Sequence, residues 1–246
     1  MSDPAALAEQ IDAGLRARAK PERAAAEKAY LKSSLEHYGT SMPAIRASVQ
    51  EVVGRRGLEH DDLIALVEQL WSGGVHERRA AAVEALEAHG AALRADDITL
   101  LERLLRESQT WALVDGLAAS IVGPLVEREP SLGATLDRWA SDDDFWIRRS
   151  ALLALLLALR RGAGDFERFG RYADAMLDEK EFFVRKAIGW VLRDTGRKRP
   201  DLVFEWLLPR AARASGVTLR EAVKPLSPEQ RDAVLAARGA PAVGGR

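Results

Sequence analysis

FFVRKAIGWVL, residues 182–192, repeats a pattern met three times earlier in the chain: HERRAAAVEAL at 76–86, TWALVDGLAAS at 110–120 and FWIRRSALLAL at 145–155. The copies recur at intervals of about 35 residues, the spacing of a two-helix repeat. Each keeps apolar residues at helical spacing and a charge at nearly the same place. With small offsets, Arg79, Arg149 and Lys186 fall in register with Asp115, a lone carboxylate in a row of cations. Such a row suits a polyanion, and the single negative charge suits a cation or a developing positive charge within it.

Working outward, Ala, Leu, Arg and Glu dominate, β-branched and aromatic residues are sparse, and the prolines sit mostly between apolar-periodic stretches. The chain therefore reads as all-α, with no convincing strand. Helices are predicted over 4–20, from Pro21 towards His37, from Met42 onward, and over 60–72, 76–89, 96–106, 109–123, 130–140, 144–161, 164–178, 180–196, 200–213 and 218–224. Gly73-Gly74, Gly90, Pro124, Pro130, Gly162 to Gly164, Gly196 and Pro200 supply the expected stops. Paired helices at this period read as HEAT-like repeats stacked into a curved α-α superhelix, whose second helices line a concave basic groove. The unbroken rhythm predicts one domain over residues 1–238, followed by a disordered tail, GAPAVGGR, at 239–246.

The chain has 246 residues, a formal net charge of −1 and no cysteine. That balance argues against coating nucleic acid by bulk positive charge, but distribution matters more than the sum. Arg185, Lys186, Arg193, Arg197, Lys198 and Arg199 face one acid, Asp194, between residues 185 and 199, while acids gather between Glu51 and Glu68. A basic face on a near-neutral body implies a local polyanion contact. The lack of cysteine removes disulfides, thiolate-zinc sites and cysteine nucleophiles, and points to a cytoplasmic protein. MSDPAALAEQ lacks the features of a signal peptide, and the apolar run from Ala151 to Leu159 is too short to span a bilayer, so no membrane contact is expected.

Trp111 and Asp115 stand four apart and share a helical face. Lys186, Trp190, Arg193 and Arg197 follow helical spacing, which sets a tryptophan in a basic stripe, and Trp146 adjoins Arg149. On spacing alone each feature also has a structural reading: tryptophans of helical repeats are often core, an Asp can bridge neighbouring repeats, and a basic stripe is often a solvated face. Their coincidence in one register favours a site. Other chemistries lack support. His37, His60, His76 and His89 do not pair at metal-ligand spacing, so no metal is expected, and no HExxH, P-loop, GxGxxG or GxSxG occurs. An enzyme built here works with carboxylate, indole and guanidinium groups and no cofactor.

YLKS at 30–33, GTSMPAIR at 39–46, TWALVD at 110–115, SDDDFWIRRSA at 141–151, KEFFVRKAIGWVLRDTG at 180–196 and LREAVKPL at 219–226 together resemble the AlkD-type DNA alkylation repair glycosylases, from Tyr30 to Leu226. The stretch from KEFF to GWVLRD is the most specific. The resemblance implies hydrolysis of the N-glycosidic bond of cationic N3- or N7-alkylated purines in double-stranded DNA, without base flipping and by a protein that is commonly monomeric. It implies that Asp115 is the catalytic carboxylate, with Trp111 and Trp190 as its aromatic neighbours, and that Arg149 contacts DNA; Arg193 and Tyr30 also match family positions. Lys186 and Arg197 extend the DNA-binding set from the basic stripe. ALLALLLALRR at 151–161 places leucines where the family can carry phosphate-binding lysines, leaving Arg160 and Arg161 as substitutes, and Thr110 stands where a second aromatic can occur. Non-catalytic binding of branched or distorted DNA is the alternative, and a protein-binding scaffold a third reading.

Overall fold

The computed structural model describes residues 3–54 and 57–239. The predicted tail from residue 240 on lies outside the described residues. Among these residues every regular element is helical and no strand forms; one isolated parallel bridge joins Glu36 and Val75. The contacts divide the chain into two compact units, one within Met1–Ile121 and one within Val122–Arg246.

In the first unit the helices are Pro4–Ala17, Pro21–Leu31, Met42–Val53, His60–Trp71, His76–Ala88, Ile98–Ser108 and Trp111–Asp115. Pro4–Ala17 packs against Met42–Val53 and His60–Trp71, and His76–Ala88 packs against the latter two. Leu7, Ile11, Leu15, Ile45, Leu63, Leu66, Leu70 and Leu86 form the core between them, each at helical spacing within its own segment. Glu77 is completely buried in this unit, and its carboxylate accepts the amides of Tyr38 (3.0 Å), Gly39 (2.6 Å) and Thr40 (3.2 Å). A buried carboxylate is tolerated here because three amide donors replace its hydration. Gly39 makes this loop possible: its φ is +79°, and a Cβ there would meet the Lys20 carbonyl oxygen at 2.1 Å. The Pro21–Leu31 helix is the exception to the packing pattern, since none of its residues is buried.

The second unit is built around the helix Phe182–Gly196, which packs against Gly216–Ala222, Phe145–Leu153, Leu156–Arg160 and Pro200–Leu207. Val184, Ala187, Ile188, Val191 and Leu192 are fully buried. Gly189 allows the close approach of Gly216–Ala222, because a Cβ would lie 2.9 Å from the Thr218 carbonyl oxygen. Helices Gly123–Arg128, Gly133–Trp139, Phe166–Ala175 and Pro228–Gly239 complete the unit.

Several boundaries differ from expectation, among them the second helix, which ends at Leu31 rather than running towards His37. Pro124 does not stop the helix that begins at Trp111. The chain passes through a π-helical stretch, Gly116–Val122, and continues as Gly123–Arg128 with Pro124 in its first turn. Proline has no N–H to donate and crowds the carbonyl one α-turn back; the wider π turn shifts that register, so the chain passes the ring without ending. The stretch 144–161 breaks at Ala154–Leu155, and the chain forms Pro228–Gly239 where no helix was assigned. That last helix buries only Val234, so its apolar period is weak in sequence.

Candidate functional site

Trp111 opens its helix, and Thr110 is the residue that starts it. The Thr110 side chain accepts the Ala112 amide at 3.4 Å, after Gln109 has closed the preceding helix in the left-handed region. Thr110 is buried, so the departure from a second aromatic has a local capping role. Asp115 follows Trp111 by one turn, half-buried like it, and is the last α-helical residue before the π stretch. Tyr30, 72% exposed, reaches Trp111 edge-on, with ring centroids 6.1 Å apart at 88°. Tyr30, Trp111 and Asp115 are thus gathered in the first unit. Arg79 lies close by in the same unit: with Lys32, Ser33, Ser34, Gln109 and Thr110 it lines a recess of about 320 Å³. Its guanidinium donates to the Glu107 carbonyl at 2.6 Å and lies 4.9 Å from the Trp71 ring, and burial pulls its pKa below the ordinary value.

In the second unit Asp194 organises three of the expected residues. Its carboxylate accepts the Trp190 indole N–H at 3.1 Å, Arg160 at 2.7 Å and Arg193 at 3.1 Å, while the residue itself is 2% exposed. Arg193 also pairs with Glu221, whose pKa is lowered by the Lys224 hydrogen bond and by Arg193. The sequence presents Asp194 only as the one acid in a basic stretch. Its position four residues after Trp190 was the available signal, because i, i+4 neighbours meet on a helix. Lys186 on the same helix and Arg197, which caps its C-terminus, are exposed, Lys186 with its ammonium 5.9 Å from the exposed Phe182 ring.

Arg149 stands differently. It is 2% exposed, its guanidinium donates to the Phe183 carbonyl and lies 5.9 Å from the Phe183 ring, and Trp146 packs on that ring at 5.0 Å. The register that suggested an open row of cations therefore contains one guanidinium held inside its unit. Among the described residues one mixed group, Glu27, His37 and Glu77, has its ligand atoms within 4.8 Å of one another, and no helix is long and apolar enough to cross a membrane.

Helices without strands among the described residues define an all-α protein. The model of the DNA alkylation repair enzyme family matches residues 11–226, and the chain belongs to that family. The match begins earlier than the Tyr30 motif and ends at Leu226, as the resemblance did. A solved structure, "Predicted DNA alkylation repair enzyme from Enterococcus faecalis", is 22% identical, with 86% of this chain and 98% of that one covered at a TM-score of 0.75. At that identity the likeness establishes the fold. No curated protein sequence matches the chain.

Proposed function

We propose that the protein is a monofunctional DNA glycosylase that hydrolyses the N-glycosidic bond of cationic N3- or N7-alkylated purines in duplex DNA. The observation that carries this reading is the grouping of Asp115, Trp111 and Tyr30: a half-buried carboxylate one turn from an indole that a tyrosine meets edge-on.

Alkylation at N7 or N3 makes the purine a cationic leaving group, so bond cleavage needs no general acid, in keeping with a group that contains no histidine. The remaining task is to stabilise the sugar as positive charge develops and to position a water for attack. Asp115 serves both purposes, and the indole face of Trp111 adds a cation contact worth roughly 0.5–2 kcal/mol. Trp190 is the proposed second aromatic contact. Lys186 and Arg197, both exposed, take phosphates directly, while Arg193 and Arg160 are pre-oriented by Asp194. A phosphate contact by Arg149 requires its guanidinium to swing off the Phe183 carbonyl. Gripping the duplex through its backbone makes extrusion of the base unnecessary and tolerates bulky adducts. No lysine stands within a helical turn of Asp115 in the sequence to serve as a nucleophile, so the reaction is expected to stop at the abasic site.

The test is release of free base from a duplex carrying one N7-methylguanine, measured for wild type and Asp115→Asn against spontaneous depurination. Wild type is expected to exceed the spontaneous rate, and Asp115→Asn to lose roughly 10²- to 10³-fold. Equal, spontaneous rates for both would overturn the simple-methyl reading and leave bulky adducts or non-catalytic binding of distorted DNA.

A further inference from the structure

Pro21–Leu31 carries Tyr30, yet buries no residue of its own. A helix without a buried face needs another anchor, because packing of an apolar face is the usual source of helical stability in a protein. The anchor is sought where the helix turns a polar side chain inward. Glu27, one turn before Tyr30, has one carboxylate oxygen facing Arg23 at 3.4 Å and the other, Oε2, buried with no hydrogen-bond partner. Opposite it stands His37, both of whose ring nitrogens are also buried and without a partner. Unpaired buried polar atoms are costly, and Glu27 Oε2 facing one ring nitrogen of His37 calls for a common ligand.

We propose that Glu27, His37 and Glu77 bind one zinc-like divalent metal ion, which ties the Pro21–Leu31 helix to His76–Ala88 and so sets Tyr30 against Trp111. The ligand atoms of the three residues lie within 4.8 Å of one another, and a small contraction brings them to a shared ion. Glu77 is already fixed in place by the amides it accepts: Oε1 takes two, from Gly39 and Thr40, whereas Oε2 takes one, from Tyr38. Oε2 therefore retains a lone pair. His37 is held by its stack on His76, with centroids 4.5 Å apart and planes within 8°. One imidazole and two carboxylates, with a fourth position for water, suit zinc and related transition ions, whereas calcium takes six to eight oxygens.

Spacing rules do not find this group, since its members lie at positions 27, 37 and 77 on a helix, a loop and a second helix. The expectation of no metal rested on those rules.

The test uses untagged full-length protein, stripped with chelator and titrated with zinc chloride by calorimetry, with amide hydrogen exchange read over residues 21–31. One equivalent is expected per chain, with slower exchange of that helix on binding. His37→Phe, which keeps the stack on His76, and Glu27→Gln should each weaken binding at least roughly tenfold while circular dichroism stays unchanged, since losing even a supporting partner of a ligand costs about 10–100-fold. His60→Gln should leave binding as in wild type. Absence of binding, binding indifferent to both variants, or binding that leaves exchange of residues 21–31 unchanged would overturn the proposal. None of these readouts depends on glycosylase activity.

Discussion

Gly39 holds a positive φ with its α-carbon against the Lys20 carbonyl and the Ala24 amide, so a single methyl group has nowhere to go. Gly39→Ala is expected to lower unfolding free energy by roughly 2–4 kcal/mol in urea titration, through left-handed strain and displacement of the amides that Glu77 receives. A variant as stable as wild type would mean that the loop relaxes without cost. At the same scale, the shared face of Trp111 and Asp115 was legible in sequence, because it depends only on the helical repeat. The burial of Arg149 and the reach of Arg160 to Asp194 were not, because they depend on which neighbour each side chain meets. Arg149 sits in a helix followed by an almost wholly apolar run, and packing on both faces draws it inward with Trp146 and Phe183.

Helix starts follow local chemistry more closely than helix ends. Asp3, Asp144, Asp165 and Ser215 each accept an amide from the first turn that follows them. His60 begins its helix with Asp61 and Asp97 on its two ring nitrogens, at 2.7 and 3.0 Å, and these bonds, Asp61 first, raise its pKa. A group whose folded pKa is raised adds stability that is fully present below its unfolded value and is lost as pH rises through the folded value. The stability deficit of His60→Gln should therefore be largest near about pH 6 and fade by about pH 9, as thermal unfolding across that range would register. A deficit independent of pH would assign His60 a packing role instead. The π stretch at Gly116–Val122 illustrates the opposite limit of legibility. Pro124 reads as a stop because proline cannot continue an α register, but a change of register removes the conflict, and nothing local in the sequence announces it.

For the molecule as a whole, the near-zero net charge confines any DNA grip to local cations, so its salt dependence should report few phosphates. Affinity for a duplex is expected to fall linearly with salt on logarithmic axes, and the double variant Lys186→Ala, Arg197→Ala should flatten the slope by roughly 2. An unchanged slope would place the phosphates on other cations, and salt-insensitive binding would favour a protein-binding scaffold. The all-α class, most helices, the family and the place of Trp111 and Asp115 one turn apart on a helix followed from sequence alone, because periodicity, capping residues and proline are properties of neighbours in the chain. The amides on Glu77, the Arg160–Asp194 pair and the Arg193–Glu221 pair followed only from the fold, because these partners lie 28 to 39 residues apart and meet solely in the packed chain.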